Sequence, residues 1–216
     1  MKLFVWDLHG TLEKGNERAV IDISNSVLNR FGYSRRFSYA DNPQLYGRKW
    51  YEYFEWLFEG NDHGRDLTLQ EACFELSENN PEMQCRWIRP TPHAPDVLER
   101  IMSAHQQILI SNTRTETLKV FVDALGYGEF FSSENAFAVD GHAECPASSK
   151  EDVLAEFLRD TGDYEKIVII GDSPSDMKLK KVAGGVTYLF AHPDVEFRQC
   201  DADHRIRDLR LVLDHL

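Results

Sequence analysis

Three short stretches, far apart in the chain, carry the residues that could do chemistry. FVWDLHGTL, residues 4–12, ends an apolar run in Asp7 and follows it with His9 and Thr11. ILISNTR, residues 108–114, ends another in Ser111 and Asn112. IVIIGDSPSDM, residues 167–177, ends a third in Asp172, Ser173 and Asp176, with Lys150 some way upstream. Asp7 and Asp172 can converge on one hard cation. Mg2+ suits such a set, because it takes few carboxylates, keeps waters and accepts substrate phosphate. Ser111 and the amides near the strand ends can hydrogen-bond phosphate oxygens, and Lys150 can neutralise the phosphate or the nucleophile. A carboxylate attacking phosphorus forms an aspartyl-phosphate, which divides one hard step into two easier ones. Each residue alone has a plainer reading. An Asp after an apolar run is commonly a turn or cap residue, Ser and Asn cap helices, and a single lysine is usually solvated. The chemistry rests on the combination.

The elements that must position these groups alternate. Residues 2–6 read as a short buried strand. The spacing of Val20, Ile23, Val27, Leu28 and Phe31 predicts a helix over 16–31, stopped by Gly32. An aromatic-rich amphipathic helix is expected over 44–60, ended by Gly60, and another over 68–79. RPTPHAP, residues 89–95, holds three prolines and marks a boundary. Beyond it the pattern becomes helix 94–104, strand 107–111, a helix ending at Gly126, a short strand pair in 129–139 and a helix over 151–162. A strand KIVIIGD, a helix from Pro174 to Ala183, strands VTYLF and HRI, and a helix over 207–216 follow. Strands alternating with helices imply an α/β fold, a doubly wound parallel sheet with helices on both faces. Residues 1–13 and 93–216 form this core, and 14–92 form an all-helical insertion. In such sheets ligands bind at the carboxyl ends of the strands.

Bulk properties narrow the partners. The chain has 216 residues, 42% hydrophobic and 28% charged, with a formal net charge of -12. That acidity argues against nucleic acid and against anionic membrane surfaces. Cys73, Cys85, Cys145 and Cys200 are widely spaced, with no C-x-x-C pair, and read as free thiols of a reducing compartment. The first apolar run is broken by Asp7, too soon for a signal peptide, and no stretch approaches the ~20 apolar residues of a membrane span. The expected location is the cytoplasm. The oligomeric state is open, and a monomer is compatible with everything above.

DLHGTL resembles the first motif of the haloacid dehalogenase (HAD) superfamily, usually Asp-x-Asp-x-Thr after an apolar strand. Ser111 falls where that family's second motif has Ser or Thr, Lys150 fits the third, although Glu151 replaces a frequent Pro, and GDSPSD fits the fourth. The tail ADHRIRDL is similar to the family's last strand and helix. The resemblance implies a Rossmann-like HAD core with a helical cap between the first two motifs. It implies that Asp7 is the nucleophile and that Mg2+ is held by the Asp7 carboxylate, the His9 backbone carbonyl and Asp172. Asp176 would be a metal-shell or supporting carboxylate. Ser111 and Lys150 would bind the transferring phosphoryl group, with Thr11 and Asn112 in the same strand-end set.

Position 9 departs from the family pattern. Phosphatases of this family usually have Asp there, which protonates the leaving oxygen and then deprotonates the attacking water. Histidine, with a reference pKa of ~6.5, can carry protons near neutrality, so His9 is a candidate acid–base group. In the insertion, Gly47 allows a turn and Arg48 can reach an anionic group of the substrate. Phosphonoacetaldehyde hydrolases, relatives in the same superfamily, use a cap lysine as a Schiff base. Lys49 lies in the insertion, where Lys14 is the only other lysine, and the plainer reading of Lys49 is a solvated lysine. The leading expectation is a Mg2+-dependent phosphatase of a small phosphorylated metabolite. The alternatives are a C–P or C–halogen hydrolase on the same scaffold, or a phosphate-binding protein with weak or lost activity. The other histidines, His63, His93, His142 and His192, lack metal-ligand spacing and are expected at the surface.

Overall fold

The structure, a computed structural model, describes residues 1–45, 48–59, 62–140 and 148–216. In chain order it contains β1 (Lys2–Trp6), β2 (Glu13–Lys14), α1 (Asn16–Arg30), α2 (Asn42–Leu45), α3 (Trp50–Phe58), α4 (His63–Asn79), α5 (Pro81–Cys85) and β3 (Arg89–Pro90). These are followed by α6 (Ala94–Met102), β4 (Gln106–Ser111), α7 (Thr115–Leu125), β5 (Ala136–Ala138), α8 (Lys150–Thr161), β6 (Lys166–Gly171), α9 (Pro174–Lys178), α10 (Lys180–Ala183), β7 (Val186–Phe190) and β8 (His204–Ile206). The chain divides into two compact units, Met1–Lys14 with Arg89–Leu216, and Gly15–Ile88.

The first unit holds a six-stranded parallel sheet in the order β5-β4-β1-β6-β7-β8. Its central strands read KLFVW, QQILIS and KIVIIG, near-continuous apolar runs of the kind demanded by burial on both faces. Leu3, Val5, Ile108, Ile110 and Ile169 pack with Leu154 and Phe157 of α8 on one face. Val5 pairs with Ile108 on one side and with Ile169 on the other. The chain runs outward from β1 through β4 and β5, then returns to place β6 on the opposite side of β1. The strand order therefore reverses beside β1, where open α/β sheets form their ligand crevice. A two-residue antiparallel ladder joins β2 to β3, and Thr91 and Tyr127 tie down the loop after β1 by donating to the carbonyls of Thr11 (2.7 Å) and Leu12 (2.9 Å).

The second unit is helical. Trp50, Tyr53 and Phe54 of α3 are buried with Ile21, Val27, Leu28, Leu69 and Phe74, and the Trp50 indole donates to Ser24 Oγ at 2.7 Å. Among the described residues no helix is long and apolar enough to cross a membrane.

Several local expectations are corrected. The stretch 44–60 is not one helix. Lys49 is extended and its N–H is capped by the Glu52 side chain, so α3 starts at Trp50. The left-handed terminator of α3 is Glu59, at φ 52, while Gly60 lies outside the described residues. The helix expected over 68–79 starts earlier, as α4 at His63, because Asp62 accepts from Arg65 N–H at 3.1 Å. Instead of a strand pair, 129–139 holds only β5, because the Asn135 side chain absorbs the backbone groups of Gln107, Phe130 and Ser132. The helix expected over 174–183 is broken at Leu179, and the C-terminal segment Leu209–His215 is a 3-10 helix. His63 and His93 are exposed, but His192 is half-buried. His142 and Cys145 lie outside the described residues.

Gly171, the last residue of β6, has no room for a side chain. A Cβ there would stand 2.3 Å from Cβ and Cγ of Asp176. Gly171→Ala should therefore lower stability by about 1–3 kcal/mol. At about 2–4 °C per kcal/mol in a chain of this size, a thermal melt will show it. An unchanged melting temperature would mean that α9 shifts freely.

Candidate functional site

Asp7 is held at the carboxyl end of β1 by its N–H, which donates to Ile170 O at 2.9 Å. Beyond it the chain wraps around one carbonyl. Leu8 O accepts from the N–H groups of Thr11 (3.2 Å), Leu12 (2.9 Å) and Glu13 (3.1 Å). Gly10 takes a φ of 80, in the left-handed region glycine tolerates best. This turn carries Thr11 back to Asp7, with Oγ1 donating to Oδ2 at 3.4 Å. It also brings His9 Nδ1 to 2.8 Å from Glu13 Oε1.

Lys150 enters from α8. The start of that helix is fixed by reciprocal bonds between Ser149 and Asp152, at 2.9 and 3.1 Å. The buried Lys150 ammonium donates to Asp7 Oδ1 at 2.6 Å and to Asp176 Oδ1 at 2.7 Å. The other Asp176 oxygen accepts from Ser173 N–H (3.0 Å) and Ser173 Oγ (2.6 Å). Asp172, one residue beyond β6, lies 3.2 Å from the Arg198 guanidinium. Asp7, Asp172 and Asp176, all buried, offer carboxylate oxygens within 4.8 Å of one another. Ser111, at the end of β4, is fully buried, and its Oγ finds no partner among the described residues. Leaving a buried hydroxyl unmatched costs about 1–3 kcal/mol, so Ser111 fits a donor reserved for a ligand oxygen.

The electrostatics follow from burial. Desolvation raises the pKa of Asp7 and the neighbouring Asp176 raises it further, while Lys150 and, more weakly, His9 pull it down. For Lys150 burial opposes the charge, but Asp176 and Asp7 overcome this and hold the ammonium above its ordinary pKa. Lys150 stays charged, and an excess of negative charge remains around Asp7 and Asp172. Three convergent carboxylates with residual negative charge fit a hard divalent cation such as Mg2+.

The structure thus gathers Asp7, Thr11, Lys150, Asp172 and Asp176, with His9 and Ser111 at the adjoining strand ends. Asn112 is exposed. Arg48 and Lys49 belong to the second compact unit. Arg48 is exposed and donates to Gln44 O at 2.8 Å, and the half-buried Lys49 lies 6.0 Å from the Tyr51 ring. Sequence reasoning missed Glu13 and Arg198. Glu13 shows a signal only once the turn after Leu8 is known, and Arg198 sits in a segment without periodicity.

Residues 1–184 match the model of the haloacid dehalogenase-like hydrolase family. With this match, the chain belongs to the haloacid dehalogenase-like hydrolases. No curated protein is matched by the sequence. Among solved structures, a candidate phosphatase of Clostridium difficile superposes with a TM-score of 0.79 at 14% identity, covering 99% of this chain and 97% of the other. A candidate phosphoglycolate phosphatase of Haemophilus somnus gives 0.78 at 17%, covering 100% and 97%. A haloacid dehalogenase-like family hydrolase of Streptococcus pneumoniae gives 0.73 at 17%, covering 99% and 97%. These likenesses establish a shared fold.

The raised pKa of Asp7 has a consequence for stability without metal. Its folded pKa exceeds its unfolded value of 3.8, so ionising it costs folding energy. The cost is absent where the unfolded carboxyl is itself protonated and complete once the pH passes the folded value. In EDTA, Asp7→Asn should melt above wild type at about pH 7.5 and lose that gain near about pH 4. Equal melting temperatures at both pH values would show that Lys150 fully offsets the burial.

Proposed function

We propose that this chain is a Mg2+-dependent phosphatase that acts on a small phosphorylated metabolite through an aspartyl-phosphate on Asp7. The supporting observation is the buried cluster of Asp7, Asp172 and Asp176, bridged by Lys150 at the strand-order reversal of the sheet. The candidate phosphatases among the structural neighbours agree with this reading. The Asp7 and Asp172 carboxylates and the His9 carbonyl would hold Mg2+, with Asp176, already bonded at both oxygens, as the supporting carboxylate. When bound, the ion offsets carboxylate charge and stabilises charge on the phosphoryl oxygens.

The chain's own groups do the rest. Thr11, Ser111, Asn112 and Lys150 bind and orient the phosphoryl group. An Asp7 oxygen bonds to phosphorus while the ester P–O bond breaks, and the leaving oxygen takes a proton from His9. A water then attacks phosphorus and gives its proton to His9. The Asp7–phosphorus bond breaks, releasing phosphate and restoring the carboxylate. We read the helical unit Gly15–Ile88 as a cap whose Arg48 and Lys49 recognise the remainder of the substrate.

With para-nitrophenyl phosphate, turnover should require Mg2+, stop in EDTA and disappear in Asp7→Asn. Phosphate release by Asp7→Asn at the wild-type rate would end the proposal. His9→Ala should retain Mg2+-dependent turnover at a rate about 10²- to 10⁴-fold lower, with an altered pH profile. A rate and profile like those of wild type would remove His9 as the proton carrier.

A further inference from the structure

The turn after β1 buries a carboxylate that none of the family motifs quoted above includes. Glu13 is 1% exposed, and its Oε1 lies 2.8 Å from His9 Nδ1. Its backbone is held from three sides. Its N–H donates to Leu8 O, its carbonyl lies 3.3 Å from His192 Nε2, and it pairs with Pro90 in the β2–β3 ladder. The imidazole is fixed as well. Its ring meets Phe121 of α7 edge-on, with centroids 4.7 Å apart and planes at 89°. His9 is therefore clamped between a carboxylate and an aromatic wall, two residues beyond Asp7.

A single hydrogen bond from an imidazole to a carboxylate adds little net stability, since folding exchanges it for hydrogen bonds to water. It is effective at orientation. A carboxylate facing Nδ1 can only accept, so it selects the ring form that carries its proton on Nδ1 and leaves Nε2 as the free nitrogen. We infer that Glu13 is a positioning residue: it accepts Nδ1–H from His9, sets the tautomer, and directs Nε2 to the reacting atoms. This rests on the proposed acid–base part of His9. Together the two side chains form a dyad in which one group handles the proton and the other aims it.

Two measurements test the pair. The first needs no turnover. In 15N-detected NMR on the full chain, at a pH where the ring is neutral, His9 should carry its proton on Nδ1. In Glu13→Gln, whose amide can donate to Nδ1, the Nε2–H form should gain. The second is kinetic, with para-nitrophenyl phosphate and Mg2+. Glu13→Gln, close to isosteric, should lower kcat by about 10²- to 10⁴-fold with KM and melting temperature little changed, as expected when an orienting carboxylate becomes an amide. In the His9→Ala background the same substitution should cost nothing further, because Glu13 acts only through the ring. An Nε2–H ring in wild type, or a Glu13→Gln loss that persists in His9→Ala, overturns the role of Glu13 and leaves His9 in place. A His9→Ala enzyme as fast as wild type overturns the acid–base reading of His9 instead.

Discussion

Asp7, Asp172 and Asp176 crowd three carboxylates into a space only a few ångströms across, away from water. Even after relaxation, burying one ion costs several kcal/mol, and like charges at this spacing add to it. Two basic groups answer. Lys150 bridges Asp7 and Asp176, and Arg198 reaches Asp172. They neutralise most of the cluster but leave a surplus of negative charge, consistent with the upward push on Asp7. In the proposed reading Asp7 and Asp172 would hold a divalent ion, whose charge would offset that surplus where the phosphoryl oxygens bind. The carboxylate crowding that is unfavourable alone would then be the means of binding.

Such a cluster is useful only if it cannot relax, and the fold denies it room. Asp7 and Asp172 sit just beyond neighbouring strands whose ladder fixes their backbones. Lys150 stands at the first position of α8, a helix start locked by the Ser149–Asp152 exchange. Asp176 folds over Gly171 with no space for a Cβ and is tied to Ser173 by two bonds. The three carboxylates and Lys150 are thus placed by strand ends and helix starts. Rigid support of this kind holds reacting groups to the tolerance that catalysis requires.

Much of this was legible in the chain. The runs KLFVW, QILIS and KIVIIG are too apolar for strands with a wet face, and each ends in or is followed at once by a polar residue (Asp7, Ser111 and Asp172), so the parallel sheet and the polar residues at its strand ends followed together. Less legible was whatever depends on a single side chain competing with periodicity. The aromatic positions of 44–60 are spaced as one helix, yet the Glu52 carboxylate starts α3 afresh at Trp50. Around 130–135 the Asn135 side chain supplies partners that a second strand would otherwise supply. Glu13 illustrates the same limit. In sequence it is an ordinary glutamate after an apolar residue, and only the turn around Leu8 O shows that it is buried beneath His9.

Histidine at position 9 makes physical sense together with that turn. A carboxylate there would add negative charge two residues from Asp7, where negative charge is already in surplus. An imidazole adds none, and its positive form draws the Asp7 pKa downward. The negative charge instead resides on Glu13, 2.8 Å from the ring nitrogen Nδ1 and farther along the turn. With the imidazole protonated the dyad is neutral overall, like a protonated carboxyl group. With the proton gone it carries one negative charge, like a carboxylate. In the proposed catalytic cycle His9 and Glu13 together would present the same two net charges as a single aspartic acid. In the proposed reading the imidazole would carry the proton, while the negative charge would stay on Glu13, six residues along the chain from the nucleophile.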